Sequence, residues 1–169
     1  MNARNIILMG CCGVLSLLWL NGSGSAQDKH QTNRKSSCSV VHPESICSSS
    51  NTCGSASTPC TVDVKRTSDS ASTTANIVDA KANAPFCLKA GTKVTWQSSS
   101  KETGFLVDFG SSSPFEPSGA VIGGSDRSVT VTAKTSGCYK YSAGACVSGA
   151  INGMCDSIEA DFIVLPNTD

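Results

Sequence analysis

Ten cysteines in 169 residues constrain this chain more than any other feature. Two of them, Cys11 and Cys12, fall in an apolar leader. Eight follow: Cys38, Cys47, Cys53, Cys60, Cys87, Cys138, Cys146 and Cys155. The leader has the layout of a secretory signal peptide, with Arg4 as its positive start, an uncharged stretch from Ile6 to Leu20, and the small residues Asn21 to Ala26 before a cleavage point. The apolar stretch is shorter than the roughly 20 residues that a spanning helix needs. A secreted or periplasmic protein beginning at Gln27 is therefore expected. Leu8-Met9-Gly10-Cys11 has the look of a lipobox, but only about four apolar residues precede it where an export signal has about 7 or more, which disfavours a lipid anchor on Cys11. An even number of cysteines in an exported chain predicts four disulfides, and eight cysteines allow 105 connectivities.

Processing after Ala26 would leave 143 residues, suited to one domain. Without Arg4, 12 basic residues face 13 acidic ones. That balance supplies no electrostatic reason to expect nucleic acid or an anionic membrane surface as a partner, and the partner class stays unknown. No apolar run after residue 27 is long enough to cross a membrane as a helix.

Three segments are expected: 1–26 as signal, 27–60 as a polar leader with a cysteine-rich stretch, and 61–169 as the folded domain. The stretch from Cys38 to Cys60 is rich in Ser, Thr, Asn, Pro and Gly, and has too little apolar surface to fold by burial. After Cys60 the period becomes two, the signature of half-buried strands. Apolar residues alternate at Val62 and Val64, Phe86 and Leu88, Val94 and Trp96, Phe105, Val107 and Phe109, Val129 and Val131, Tyr139 and Tyr141, and Ile158, Ala160, Phe162 and Val164. Ile77-Val78 reads as a weak further strand. Gly110 to Gly124, with Pro114 and Pro117, reads as a long loop. Seven or eight short strands without a helical period predict an all-β fold, an antiparallel sandwich or barrel.

Two segments resemble the cupredoxin family of the plastocyanin and azurin type. One is Phe86-Cys87-Leu88-Lys89-Ala90-Gly91-Thr92-Lys93-Val94-Thr95-Trp96. The other is Gly137-Cys138-Tyr139-Lys140-Tyr141, followed by Gly153-Met154 and a terminal apolar strand. The resemblance covers about residues 60 to 166 and implies a Greek-key β-sandwich carrying a cysteine-rich N-terminal extension. It does not bring the copper ligands with it. Type 1 copper needs two imidazoles and a thiolate with a weak axial ligand. Phe105 stands where the family has its first His. Ser142 or Ala143 stands where it has its Cys, and Cys146 comes a few residues late. No His follows His42, and only Met154 matches an axial position. The resemblance thus implies a domain without cofactor, its ligand loop braced by disulfides. Cys146 is expected to pair with Cys155 and Cys87 with Cys138, the four N-terminal cysteines pairing among themselves.

The remaining chemistry is sparse. His42 among Cys38, Cys47, Cys53 and Cys60 could suggest zinc, but the cysteine gaps are longer than the usual two to four residues, and an oxidising compartment favours disulfides. Nucleophilic catalysis needs a His placed by a fold, and both His30 and His42 precede the β domain. Asp108, Glu116, Asp156, Glu159 and Asp161 could form an acid/base pair but read as solvated charges. The expectation is a non-enzyme with a structural or binding role. The rival expectation is metal binding or electron transfer through an atypical copper site using His42, Met154 or free thiols. The best candidate recognition surface is the stretch 105–124, with Phe105 at its start and Phe115 held between Pro114 and Pro117. The competing reading folds Phe115 back over the core.

Overall fold

Alternation of apolar and polar residues builds ten strands in the computed structural model, which describes Cys38 and residues 42–55, 57–68, 70–124, 126–147 and 155–167. The expected signal segment, the leader with His30, the anchor candidate Cys11, and Met154 lie outside the described residues. The strands are β1 (Cys60–Arg66), β2 (Ala71–Ala75), β3 (Phe86–Lys89), β4 (Lys93–Gln97), β5 (Thr103–Asp108), β6 (Phe115–Glu116), β7 (Val121–Gly124), β8 (Val129–Ala133), β9 (Gly137–Val147) and β10 (Cys155–Leu165). One four-residue helical turn, α1 (Pro43–Ile46), precedes them. The described residues all belong to one unit, 32–169.

The strands form two mixed five-stranded sheets, ordered β2-β1-β4-β8-β6 and β3-β10-β9-β5-β7. Each has one parallel pair, β1 with β4 and β3 with β10. The inward faces carry the residues that alternation singled out, among them Val62, Val64, Leu88, Val94, Trp96, Val107, Val131, Tyr141 and Val164. The Phe162 ring is the hub. Its centroid lies 5.4 Å from Phe115, 5.6 Å from Tyr139, 5.7 Å from Phe86 and Tyr141, and 6.1 Å from Phe109. These separations fall within the range in which ring pairs add to plain area burial. Tyr139 also reaches back with its hydroxyl, which donates to the Thr135 carbonyl at 3.0 Å and pins the chain just before β9.

Two strand expectations are corrected. Ile77-Val78 forms no strand, and Val78 is 75 % exposed. The strand lies just before it, at Ala71–Ala75, where small residues pair with β1 from Val62↔Ala75 to Arg66↔Ala71. An Ala-Ser-Thr-Thr-Ala sequence shows no apolar alternation, so its strand character comes from its neighbour. The stretch 110–124 is not one loop either. Phe115–Glu116 pairs with β8 and Val121–Gly124 pairs with β5.

The disulfides depart from the expected pairing in an informative way. The structure joins Cys38 to Cys138, Cys47 to Cys87 and Cys53 to Cys60, with Cα separations of 5.4, 5.7 and 5.1 Å. Only Cys53–Cys60 falls within the N-terminal group. Phe86 and Leu88 point inward, as do Tyr139 and Tyr141, so Cys87 and Cys138 face the outer side of their sheet. Both are register partners of Ile163 on the strand between them. They are thus two strand spacings apart, about 9–10 Å, beyond the roughly 7 Å that a disulfide tolerates between Cα atoms. Each instead bonds outward to an N-terminal cysteine, Cys138 to Cys38 and Cys87 to Cys47, and Ile163 between them is only 3 % exposed. The N-terminal segment pairs with the edge of β3, and Gly54 turns it towards β1. Gly54 has φ +73°, and a Cβ there would sit 2.7 Å from the Cys60 nitrogen. The fourth expected pair keeps its place in the register, since Cys146 is disulfide-bonded and Cys155 lies directly across the β9–β10 ladder from it.

Multiple disulfides indicate a fold made in an oxidising, non-cytoplasmic environment. No helix among the described residues is long and apolar enough to cross a membrane. Replacing Cys38 and Cys138 together by Ser opens a link spanning 100 residues. The double variant is expected to lose about 2–5 kcal/mol of stability, measured as a lower midpoint in guanidinium unfolding without reductant.

Candidate functional site

Phe105, at the start of β5, marks the end of the sandwich where a ligand site was sought. Its inward direction follows from the alternation Phe105, Val107 along β5, and it is 2 % exposed. Across β9 its register partner is Ala145, and Val107 faces Ala143. Both alanines are buried. On the other side Phe105 pairs with Gly123 of β7. A Cβ on Gly123 would collide with the Phe105 ring and lie 2.7 Å from the Arg127 carbonyl oxygen, so the absence of a side chain there lets the ring lie flat on the backbone. One turn of pleat further out, Gly104 faces Cys146, which faces Cys155. Among the described residues, the Phe105 ring and the methyl groups of Ala143 and Ala145 line this end on its inward face, and none of them is an acid, a base or a ligand for a hard cation.

Phe115 was the other candidate recognition residue. It is 4 % exposed and packs 4.9 Å from the Phe109 ring and 5.4 Å from Phe162. Of the two readings of Phe115, the structure takes the one that folds it back over the core, because ring stacking there outweighs exposure of a large apolar surface to water. All eight aromatic residues of the described chain are buried. Among the described residues no aromatic ring is exposed as a stacking platform.

His42 is exposed and precedes α1, and its carbonyl accepts bonds from the Ser45 amide and hydroxyl. Its cysteine neighbours are bound in disulfides. Among the described residues no group of three His, Cys, Asp or Glu side chains could hold a metal ion. The carboxylates are dispersed. Asp108 accepts from the Gly110 amide at 2.9 Å, Glu116 pairs with Lys134 at 3.3 Å, and Glu159 pairs with Lys140 at 3.6 Å. Asp161 is buried opposite Lys140 in the register. The side chain of Asp156 lies outside the description.

The polar element inside the sandwich is Tyr141. Its hydroxyl meets the Thr73 hydroxyl at 2.6 Å, and Asn83 accepts from the Thr73 amide at 2.8 Å. Burial pushes the Tyr141 phenol up to about 12. The Thr73 bond opposes that shift, and the Asp161 charge adds to it. Sequence reading placed Tyr141 as a core residue and missed this polar link, because Thr73 and Asn83 sit in a stretch that reads as linker. It also missed an exposed apolar pair on the outer face, Leu106 and Ile122, which are direct cross-strand neighbours. The adjacent β-branched residues Val121-Ile122 were the available signal.

No family model matches this chain, and no curated protein matches it.

A phenol whose pKa is raised on folding holds its proton longer in the folded state. Its contribution is present in full below the unfolded value of 10.0 and is lost as pH rises towards about 12. Stability is therefore expected to fall by about 2 kcal/mol across that window, and Tyr141→Phe should flatten the slope. With only two tyrosines in the chain, phenolate absorbance during alkaline titration resolves the group directly. The absorbance should rise together with unfolding.

Proposed function

We propose that this chain is an exported, non-catalytic, disulfide-braced sandwich of cupredoxin-like build, with a structural or binding role exercised through its surface. The observation that carries this reading is Phe105, a buried ring at the position where the resemblance puts an imidazole. It pairs with Gly123 and with Ala145, and Ser142 or Ala143 stands at the position of the family's thiolate. Two further features support it. The described strands form two five-stranded sheets whose apolar faces share one core, as a sandwich requires. Cys138 and Cys146 are engaged in disulfides, and a sulfur held in a disulfide is not the thiolate that blue copper requires.

A role in binding or support also fits the aromatic inventory. The rings are spent on the core, so recognition would rest on aliphatic and main-chain contacts.

The test combines thiol titration with metal analysis on protein purified from an oxidising compartment. Unfolded without reductant, it should show no reactive thiol from Cys38 to Cys155. It should contain no stoichiometric metal, and adding Cu(II) should produce no thiolate-to-copper absorbance. A stoichiometric metal, or a pair of titratable thiols, would replace this reading with metal handling or electron transfer.

A further inference from the structure

A disulfide yields to a reductant only where a thiolate can reach one of its sulfurs. The bonds of this chain differ in that respect. Cys53 and Cys60 are both 0 % exposed and belong to the core cluster. Cys38, Cys47 and Cys138 are part-exposed, so the links Cys38–Cys138 and Cys47–Cys87 each have at least one cysteine in contact with solvent. Their inner member, Cys87, is 0 % exposed.

The two accessible links hold the same piece of chain, residues 42–52, at Cys47 itself and at Cys38 on its N-terminal side. None of these residues belongs to the hydrophobic core, which begins at Cys53 among the described residues. Even Ile46 is part-exposed. The piece is folded on itself instead. The Asn51 side chain donates to the Ile46 carbonyl and accepts from the Ser48 amide, both at 2.7 Å, and the Thr52 hydroxyl donates to the Ser48 carbonyl at 2.6 Å. Two main-chain bonds meet β3 at its far end. The Cys87 amide donates to the Asn51 carbonyl at 2.9 Å, and the Cys53 amide donates to the Cys87 carbonyl at 2.8 Å. The second of these starts from a residue that the Cys53–Cys60 bond keeps in place. The turn α1 lies against β10, where Ile163, between Cys87 and Cys138 in the register, is 3 % exposed.

We propose that residues 42–52 are a redox-released flap: a dithiol opens Cys47–Cys87 and Cys38–Cys138, and the flap leaves the sheet while the buried Cys53–Cys60 bond stays closed as its hinge. The thiolate of the dithiol attacks the Cys47 sulfur, a mixed disulfide forms, and Cys87 leaves as the thiolate. The second thiol of the reductant then displaces Cys47, and the reductant ends as a disulfide. Two electrons and two protons pass to Cys47 and Cys87. A second dithiol opens Cys38–Cys138 in the same way. Without its covalent links the flap has too little buried apolar surface to offset the entropy of ordering it. The sandwich survives, because its core draws nothing from the flap. Release uncovers Cys87, Ile163 and the edge of β3. This goes beyond the cofactor-free reading, which stands whether or not the flap opens.

The experiment treats the folded, fully oxidised protein with dithiothreitol in the absence of denaturant. Timed iodoacetamide labelling and peptide mapping then read each cysteine. Cys38, Cys47, Cys87 and Cys138 should become labelled while Cys53 and Cys60 stay unlabelled. Cys87 is the decisive one, since a reagent reaches it only once the flap has moved. In hydrogen exchange the Cys87 amide should exchange about tenfold faster or more, as for a local opening, with the amides of the central strands β4 and β9 unchanged. Labelling of all six cysteines together with loss of protection in β4 and β9 overturns the inference, because reduction would then unfold the sandwich as a whole. A labelled Cys47 beside an unlabelled Cys87 with a slow amide overturns it too, since the segment would stay on the sheet without its bonds. Resistance of both links to dithiothreitol does the same.

Discussion

The row Cys87–Ile163–Cys138 on the outer face of one sheet is the constraint on which the rest of the molecule leans. Ile163 sits between the two cysteines in the register, and both sulfurs bond outward to a single crossing segment. That segment is poor in apolar side chains and could not hold itself on the sheet by burial. Covalent attachment at both sides of Ile163 does what hydrophobic area would do in a richer sequence. In consequence Ile163 is shielded from water, and the edge of β3 acquires hydrogen-bond partners at Asn51 and Cys53. The N-terminal stretch is therefore the outer layer of half a sheet rather than a separate cysteine knot, which explains why its cysteines reach as far as residue 138.

Inside the sandwich, a small number of large side chains supplies most of the shape. Rings converge on Phe162, and none is left over for the surface. This allocation bears on function. An end of the sandwich lined by Phe105, Ala143 and Ala145 offers dispersion contacts and little polar chemistry. The polar link from Tyr141 to Thr73 and Asn83 reaches a sheet edge, where it satisfies main-chain groups.

The surface is correspondingly plain. Opposite charges sit in local pairs, such as Lys65 with Asp63 at 3.0 Å, and give no field of one sign. What distinguishes one region from another is the state of the sheet edges. Among the described residues, main-chain bonds from residues 51–53 and from Asn83 close the edges of β3 and β2, and Pro117 ends β6.

Much of this was legible in the residues. Period-two alternation from Val62 to Val164 determined which side chains enter the core, because a strand that buries one face must alternate. The even cysteine count determined that the fold is covalently braced. The absence of imidazole after His42 determined that no two-imidazole copper site could assemble in the β domain. Only the tertiary structure decided which sulfurs meet, because the order of strands β3-β10-β9 separates Cys87 from Cys138 and turns both to the outside. It also decided that Ala71–Ala75 is a strand, through pairing with β1, and that Phe115 is core, through stacking on Phe109 and Phe162. Those outcomes depend on neighbours brought from distant parts of the chain. Local pattern records which face of a strand is apolar, and it carries no information about what lies beside that strand.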